Sequence, residues 1–404
     1  MLKIVDGGVC SAKGFRAAGV EAAVKHPGRK DVGLIAADAP CAAAAVFTTN
    51  KVAAAPVLYC RRAVKSGRAQ AIAANSGCAN ACTGDQGDSD ARFTALLAAG
   101  ELGIDPSLVL VASTGVIGRP MPMDRIAAGV ALAARSLKRT KEAALDFEKA
   151  IMTTDTRPKQ ACVRFDIGGK KATVGACVKG SGMIEPNMAT MLAFITTDAA
   201  VSPAMLKRAL SLAVEKSFNR LVVDGDESTN DSAFILASGL AGNKTVERAG
   251  ADFDAFREAL DAVCVSLVRQ MARDGEGATK FVEVRVTGAK TRRDAEKAAR
   301  AIARSPLAKT SWFGKDPNWG RVLAAAGYSG AEVDAKKAVV SYGGVWAYRR
   351  GEVAGEVRLA ELKKALEGDE LLVEVDLGLG RGEDAVYTCD LTEDYIHINA
   401  DYTT

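Results

Sequence analysis

Histidine is almost missing: the 404-residue chain has it only at His26 and His397. Two isolated imidazoles cannot complete a zinc module, and the nine cysteines do not help. Cys78 and Cys82 are separated by three residues, and no second pair follows closely. An odd number of cysteines scattered through a long chain points to reduced thiols rather than a disulfide framework. Long apolar runs are lacking too. Charges interrupt every apolar stretch before it reaches the roughly twenty residues needed to cross a bilayer, and the stretch from Met1 to Asp6 has no signal-like apolar core. The expectation is a soluble, cytoplasmic protein with no membrane partner. Nor does one sign of charge dominate: 53 Lys and Arg face 49 Asp and Glu, for a net charge of +4 and no long basic run. That balance argues against nucleic acid as a partner.

Cofactor signatures are missing as well. Gly378-Leu379-Gly380-Arg381-Gly382 has neither the spacing nor the helix of a dinucleotide fingerprint, and there is no Walker-type loop. The acidic block Asp224, Asp226, Glu227 and Asp231 has no glutamate at the last position of a calcium loop. His397 has no nucleophile elbow to serve as base. No metal and no cofactor are expected.

What remains is an ordinary globular composition, 48% hydrophobic and 25% charged, long enough for one large domain or two closely joined ones. Short apolar runs read as strands, among them Leu34 to Ala37, Ala44 to Phe47, Ala71 to Ala74, Leu108 to Val111, Cys162 to Phe165 and Thr173 to Val178. Later strands are expected near Val282 to Thr287, Ala338 to Tyr342, Leu371 to Val375 and Ala385 to Cys389. Between them lie helical patterns. One starts near Asp88 or Ser89, buries Phe93, Leu96 and Leu97, and ends at Gly100 or Gly103. Others cover Met123 to Leu137 and Lys141 to Met152, a segment opened by Pro203, a stripe from Phe253 to Leu267, and a charged, exposed helix from Lys290 to Arg304. Ser305 to Lys315 reads as a linker. The interleaving defines an α/β protein.

The most informative stretch is Lys179 to Asp198. Its first half, Gly180-Ser181-Gly182-Met183-Ile184-Glu185-Pro186-Asn187, is made of turn formers, and its second half is a β-prone apolar run. Thr190 sits where the loop becomes a strand. It is either a β-branched residue suited to a pleated surface or, if the peptide bond before it is cut, a nucleophile whose own α-amine acts as base. Ser113-Thr114-Gly115-Val116-Ile117-Gly118 is either a plain turn or a donor loop for an oxyanion. Lys179 and Glu276, each beside glycines, are either solvated charges or members of a site.

Several blocks resemble the ornithine acetyltransferase family, also called glutamate N-acetyltransferases. They are Gly180 to Ile184 with Pro186 to Leu192, Ser113 to Gly118, Asp224 to Asp231, Asp274 to Lys280, Asp316 to Arg321, and Ile398 to Thr404. They cover essentially the whole chain in the expected order. The resemblance implies a layered α/β sandwich with helices outside paired sheets, self-processed at an internal threonine. It implies cleavage between Ala189 and Thr190 into an α chain, 1–189, and a β chain, 190–404, assembled as a heterotetramer of two α and two β, with a subdomain boundary placed near 305–315. It implies a ping-pong transfer of acetyl from N-acetylornithine to glutamate in arginine biosynthesis. Thr190 would be the nucleophile, Thr114 and Gly115 the oxyanion donors, and Thr154, Lys179, Thr190, Glu276, Asn399 and Thr404 the substrate-binding residues. Acetyl-CoA is a possible second donor. Two alternatives stay open: a self-cleaved amidase or aminopeptidase, and a catalytically silent binding protein.

Overall fold

The computed structural model describes residues 2–185 and 191–401. Ala189, Thr190 and Thr404 therefore lie outside the described residues. In chain order the elements are β1 (Lys3–Val5), β2 (Phe15–Val20), β3 (Val32–Phe47), α1 (Ala55–Ala63), β4 (Arg68–Asn75), α2 (Gly84–Leu102), β5 (Val109–Ser113), α3 (Met123–Arg135), α4 (Lys141–Ile151), β6 (Gln160–Ile167), β7 (Lys170–Lys179) and β8 (Leu192–Thr197). There follow α5 (Pro203–Lys216), β9 (Ser232–Ala237), α6 (Ala251–Arg273), β10 (Phe281–Ala289), α7 (Arg292–Arg304), α8 (Pro306–Phe313) and α9 (Trp319–Tyr328). The last are β11 (Val339–Tyr342), β12 (Val345–Arg349), β13 (Glu352–Val353), α10 (Glu356–Ala365), β14 (Glu370–Asp376), β15 (Gly382–Cys389) and α11 (Glu393–Asp401).

Among the described residues, one sheet has nine strands in the order β1-β6-β7-β8-β9-β3-β4-β5, with β2 paired to β3 off that path; the other has six, β13-β12-β11-β14-β10-β15. The larger sheet is covered on both faces, which is why its central strands are apolar without alternation. In β8, Leu192 and Phe194 enter the cluster beneath α1 to α4, while Ala193 and Ile195 enter the one beneath α5 and α6. Phe194 stands edge-on to Phe147 of α4 at 4.9 Å between ring centroids and stacks on Phe234 of β9 at 5.7 Å. The smaller sheet has its own core with α7 to α10, built on Val282, Val284 and Val286 of β10 with Trp312 and Tyr342. Helix α6 packs on β6 and β7 and also touches β10 and β15, so it joins the two sheets. The layered α/β architecture with helices outside its sheets is the one expected.

Four details differ from the sequence reading. The runs at Leu34 and Ala44 are one long strand, β3, whose pairing with β4 shifts register between Ala36 and Cys41; the bulge lets its second half turn to β9. Helix α2 begins at Gly84, and Phe93 and Leu96 are 49% and 51% exposed. Its inward face is Ala91, Ala95, Ala98 and Ala99, small residues that admit close approach to β5 and α1. Helix α7 is charged on one side only, since Ala295, Ala298, Ala299, Ile302 and Ala303 are all buried, spaced at i, i+3, i+4, i+7 and i+8.

Ser305 to Lys315 is not a linker. Ser305 caps α8 through the Ala308 N–H, Pro306 occupies its first turn, and Trp312 is fully buried. Serine followed by proline reads as a chain break, yet it is also a good helix start, because proline at the first helical position gives up no hydrogen bond. The boundary placed near 305–315 therefore falls inside the second core. The two sheets divide instead between the end of α6 at Arg273 and the start of β10 at Phe281.

Replacing Phe194 by alanine removes a ring shared by three elements. Chemical denaturation of Phe194→Ala is expected to show a loss of about 3–5 kcal/mol; a loss under about 1 kcal/mol would contradict the packing described.

Candidate active site

Strand register brings the site together. Lys179, the last residue of β7, lies opposite Leu192, the first of β8, and Leu192 in turn lies beside Ser232, the first of β9. Because β7 runs antiparallel and β9 parallel to β8, the end of one and the beginnings of the other two meet at a single sheet edge. The Ser232 N–H donates to the Met191 carbonyl at 2.9 Å, so the ladder reaches the first described residue after the 186–190 segment.

The Thr114 and Gly115 loop follows β5 at the same end. Asn75, closing β4, accepts the Ser113 hydroxyl at 2.7 Å with its side chain and the Thr114 N–H at 3.0 Å with its carbonyl. The Asn230 side chain ties the two turns together by donating to the Ala79 carbonyl at 2.6 Å and the Ser113 carbonyl at 2.8 Å. Gly115 has φ +126°, and a Cβ there would sit 2.5 Å from the carbonyl carbon of Gly77, so the loop requires glycine. Lys179 Nζ donates to the Thr114 hydroxyl at 3.1 Å.

The opposite wall carries Glu276, in the turn between α6 and β10. Its N–H donates to the Ser181 carbonyl at 2.9 Å, and its carboxylate accepts from Asn399 Nδ2 of α11 at 2.8 Å. Gly182 makes room for that carboxylate, since a Cβ on it would lie 2.3 Å from Glu276 Oε2. Asp224 pins the segment before residue 186 by accepting the Met183 and Ile184 N–H groups at 2.6 and 2.8 Å. Buried Glu185 pairs with Arg300 at 3.1 Å and with Arg304, both on α7. Asp224 and Glu185 thus hold backbone and helix. Asp224, the first member of the acidic block, therefore has a structural role.

Thr114, Gly115, Thr154, Lys179, Glu276 and Asn399 all line one cavity, with Met191 and Leu192 in its wall. Ala189, Thr190 and Thr404 lie outside the described residues. The cavity also takes in Ser228, Thr229, Asn230 and Asp231, which sequence reasoning did not assign to a site. Their only local signal is a polar run immediately before a buried strand; that the run shares an edge with the start of β8 emerges from the strand pairing.

Charges in the site are tightly arranged. Burial, aided by the ammonium of Lys159, pushes the Lys179 amine below its usual value, opposed by the negative charges of Asp155, Asp231 and Glu276. Burial would raise Asp155, but the ammonium groups of Lys159 and Lys179 outweigh it and hold the carboxyl at about 2. Glu148 on α4 is fully buried, and neither of its carboxylate oxygens has a hydrogen-bond partner among the described residues. Burial pushes it up to about 8 despite nearby Lys159.

An α/β fold that gathers hydroxyls, a desolvated lysine, a carboxylate and a glycine turn at the start of a central strand defines an enzyme equipped for acyl-group chemistry. The chain belongs to the ArgJ family, whose profile matches residues 16–404. It is 52% identical to the arginine biosynthesis bifunctional protein ArgJ of Symbiobacterium thermophilum, over 98% of this chain and 99% of that one. It is 50% identical to the protein of the same name from Geobacter sulfurreducens, over 98% and 100% of the two chains. Among solved structures, an ornithine acetyltransferase complexed with ornithine from Mycobacterium tuberculosis is 39% identical, covers 47% of this chain and 100% of its own, and has a TM-score of 0.45.

Glu148 makes stability depend on pH. Its folded-state value lies above the ordinary 4.5, so the folded chain holds a proton that the unfolded chain releases between about 4.5 and about 8. Its contribution is complete below 4.5 and is lost as the pH rises through about 8. Glu148→Gln, neutral at every pH, is expected to melt near the wild-type temperature at pH 5 and above it at pH 8.5; equal differences at both values would contradict a buried, unpaired carboxyl.

Proposed function

We propose that the chain cuts itself between Ala189 and Thr190 and then transfers acetyl from N-acetylornithine to glutamate, in arginine biosynthesis. In the first stage the Thr190 hydroxyl attacks the Ala189 carbonyl. The scissile nitrogen departs as the new α-amine, and water hydrolyses the resulting ester, leaving α chain 1–189 and β chain 190–404. In the second, that amine takes the hydroxyl proton as Thr190 attacks the acetyl carbonyl. Its reference pKa of about 7.7–8 leaves much of it neutral at working pH. Ornithine leaves with its amine protonated, glutamate then attacks the acetyl-Thr190 ester, and the nucleophile is regenerated.

The observation that carries this reading is the convergence of Thr114, Lys179, Glu276 and Asn399 on the edge where β8 begins, two residues after Thr190. Thr114 directs its N–H to Asn75, so the donor it can offer a developing oxyanion is its hydroxyl, beside the Gly115 N–H and polarised by Lys179. Glu276 and Lys179 present opposite charges to an amino acid's ammonium and carboxylate, with Thr154 and Asn399 lining the same cavity; Thr404, outside the described residues, is proposed as a further substrate contact. Donor and acceptor are both amino acids, so one pocket serves both half-reactions. We include acetyl-CoA as a second acetyl source, in keeping with relatives named bifunctional.

The fragments would stay together after the cut because their strands interleave: β7 pairs with β8, and β3 with β9. We propose two α and two β fragments per assembly. A cytoplasmic location fits nine free cysteines, and no helix among the described residues is long and apolar enough to cross a membrane.

Intact mass measurement tests the first stage. Wild-type protein is expected as two species that meet at the 189/190 junction, and Thr190→Ala as one uncut chain; an uncut wild type would contradict the reading. Acetate released from N-acetylornithine at a rate indifferent to glutamate would favour the amidase alternative.

A further inference from the structure

Behind the cavity lies a buried ion cluster that the mechanism above does not use. Lys159, immediately before β6, is 1% exposed, with Nζ 2.6 Å from Asp155 Oδ1 and 2.5 Å from Asp274 Oδ2. Both carboxylates are almost fully buried. Two acids on one ammonium leave a negative charge that low-dielectric surroundings penalise unless another cation is close. Asp274 has one: Arg157 reaches it from the solvent side at 3.6 Å. For Asp155 the further cation is Lys179, and the Asp155 Oδ1 that faces Lys159 also accepts the Gly180 N–H at 2.7 Å, immediately after Lys179. The remaining Asp155 oxygen accepts the Thr153 N–H at 3.0 Å, next to the cavity residue Thr154.

We propose that Asp155 is a positioning residue of the acyl-transfer site: anchored by Lys159, it fixes the Lys179–Gly180 backbone and supplies the counter-charge that keeps the Lys179 ammonium directed at Thr114. It rests on the acetyl-transfer reading but adds a component that touches no substrate. The cluster also gives each fragment a share, since Asp155 and Lys159 precede the cut and Asp274 follows it, two residues before Glu276. Both charged walls of the pocket are thereby referred to one buried ammonium. The charged groups around Lys179 are Asp155, Asp231, Glu276 and Lys159, so loss of Asp155 removes the foremost of its negative neighbours.

Asp155→Asn retains a side-chain oxygen for Gly180 and deletes the charge. Compared with wild type, its alkaline limb in the pH–kcat profile is expected to move down by about one unit, with kcat at pH 8 reduced on the order of tenfold. Lys179→Arg added to Asp155→Asn is expected to abolish that shift, because a guanidinium stays charged. Asp274→Asn takes a carboxylate from the same lysine and is expected to destabilise the protein while leaving the limb in place. A purely structural cluster would make the two Asn variants alike, and identical profiles would overturn the proposal.

If Asp155→Asn does not fold, wild-type lysines can be trace-labelled with acetic anhydride and mapped. Followed over a pH series, Lys179 labelling with a midpoint above pH 7 supports a held charge, and a midpoint below pH 7 overturns it. An uncut wild type would sink the acetyl-transfer reading alone, since the labelling reports only on the charge of Lys179.

Discussion

The hydrogen-bonded register of β7, β8 and β9 sets the edge around which the site is assembled. With Lys179 opposite Leu192 and Leu192 beside Ser232, the end of one strand and the starts of two others share one edge. A slip of one residue would turn Lys179 to the other face of the sheet and take its amine from Thr114. That register is well protected. Alternate residues of β8 are buried on opposite faces, so any slip would exchange Phe194, wedged between Phe147 and Phe234, for a smaller neighbour. Packing on both faces thereby fixes the chemistry at the edge.

The same sheet reconciles a cut chain with a rigid site. In the order β7-β8-β9-β3, two strands from after residue 189 lie between two from before it, so the ladder bonds hold across the proposed junction. Charge reinforces what the ladders begin: Lys159 pairs with Asp274, and Glu185 with Arg300, each joining residues on either side. Breaking such buried pairs by removing one partner is costly because the other charge is left uncompensated. The held ends, Glu185 on one side and Met191 on the other, frame the segment that contains Thr190.

Much of this was legible from the chain alone, and for physical reasons. Glycine in 113–118 marks a turn able to offer backbone donors, and a turn-rich run feeding an apolar one marks a loop entering a buried strand. Family blocks then placed Thr114, Lys179, Glu276 and Asn399 in a common cavity. What could not be read depended on partners distant in sequence. Nothing local in α2 distinguishes its alanine face from its Phe93 and Leu96 face, because each has helical spacing. Ser305-Pro306 carries the same signal whether it breaks a chain or starts a helix. Asn230 reads as a turn residue until β4 and β5 bring Ala79 and Ser113 beside it. Nothing local marks Lys159 as buried until Asp274 arrives from over a hundred residues away.

Everything turns on an acyl group resting on Thr190, two residues before β8 begins. Processed enzyme mixed with N-acetylornithine, in the absence of glutamate, and quenched in acid should show one added acetyl on fragment 190–404, located at Thr190 by peptide mapping. Glutamate added before the quench should discharge it as N-acetylglutamate. Turnover to N-acetylglutamate with no acetyl ever trapped on that fragment, and with initial rates requiring both amino acids bound together, would contradict the account.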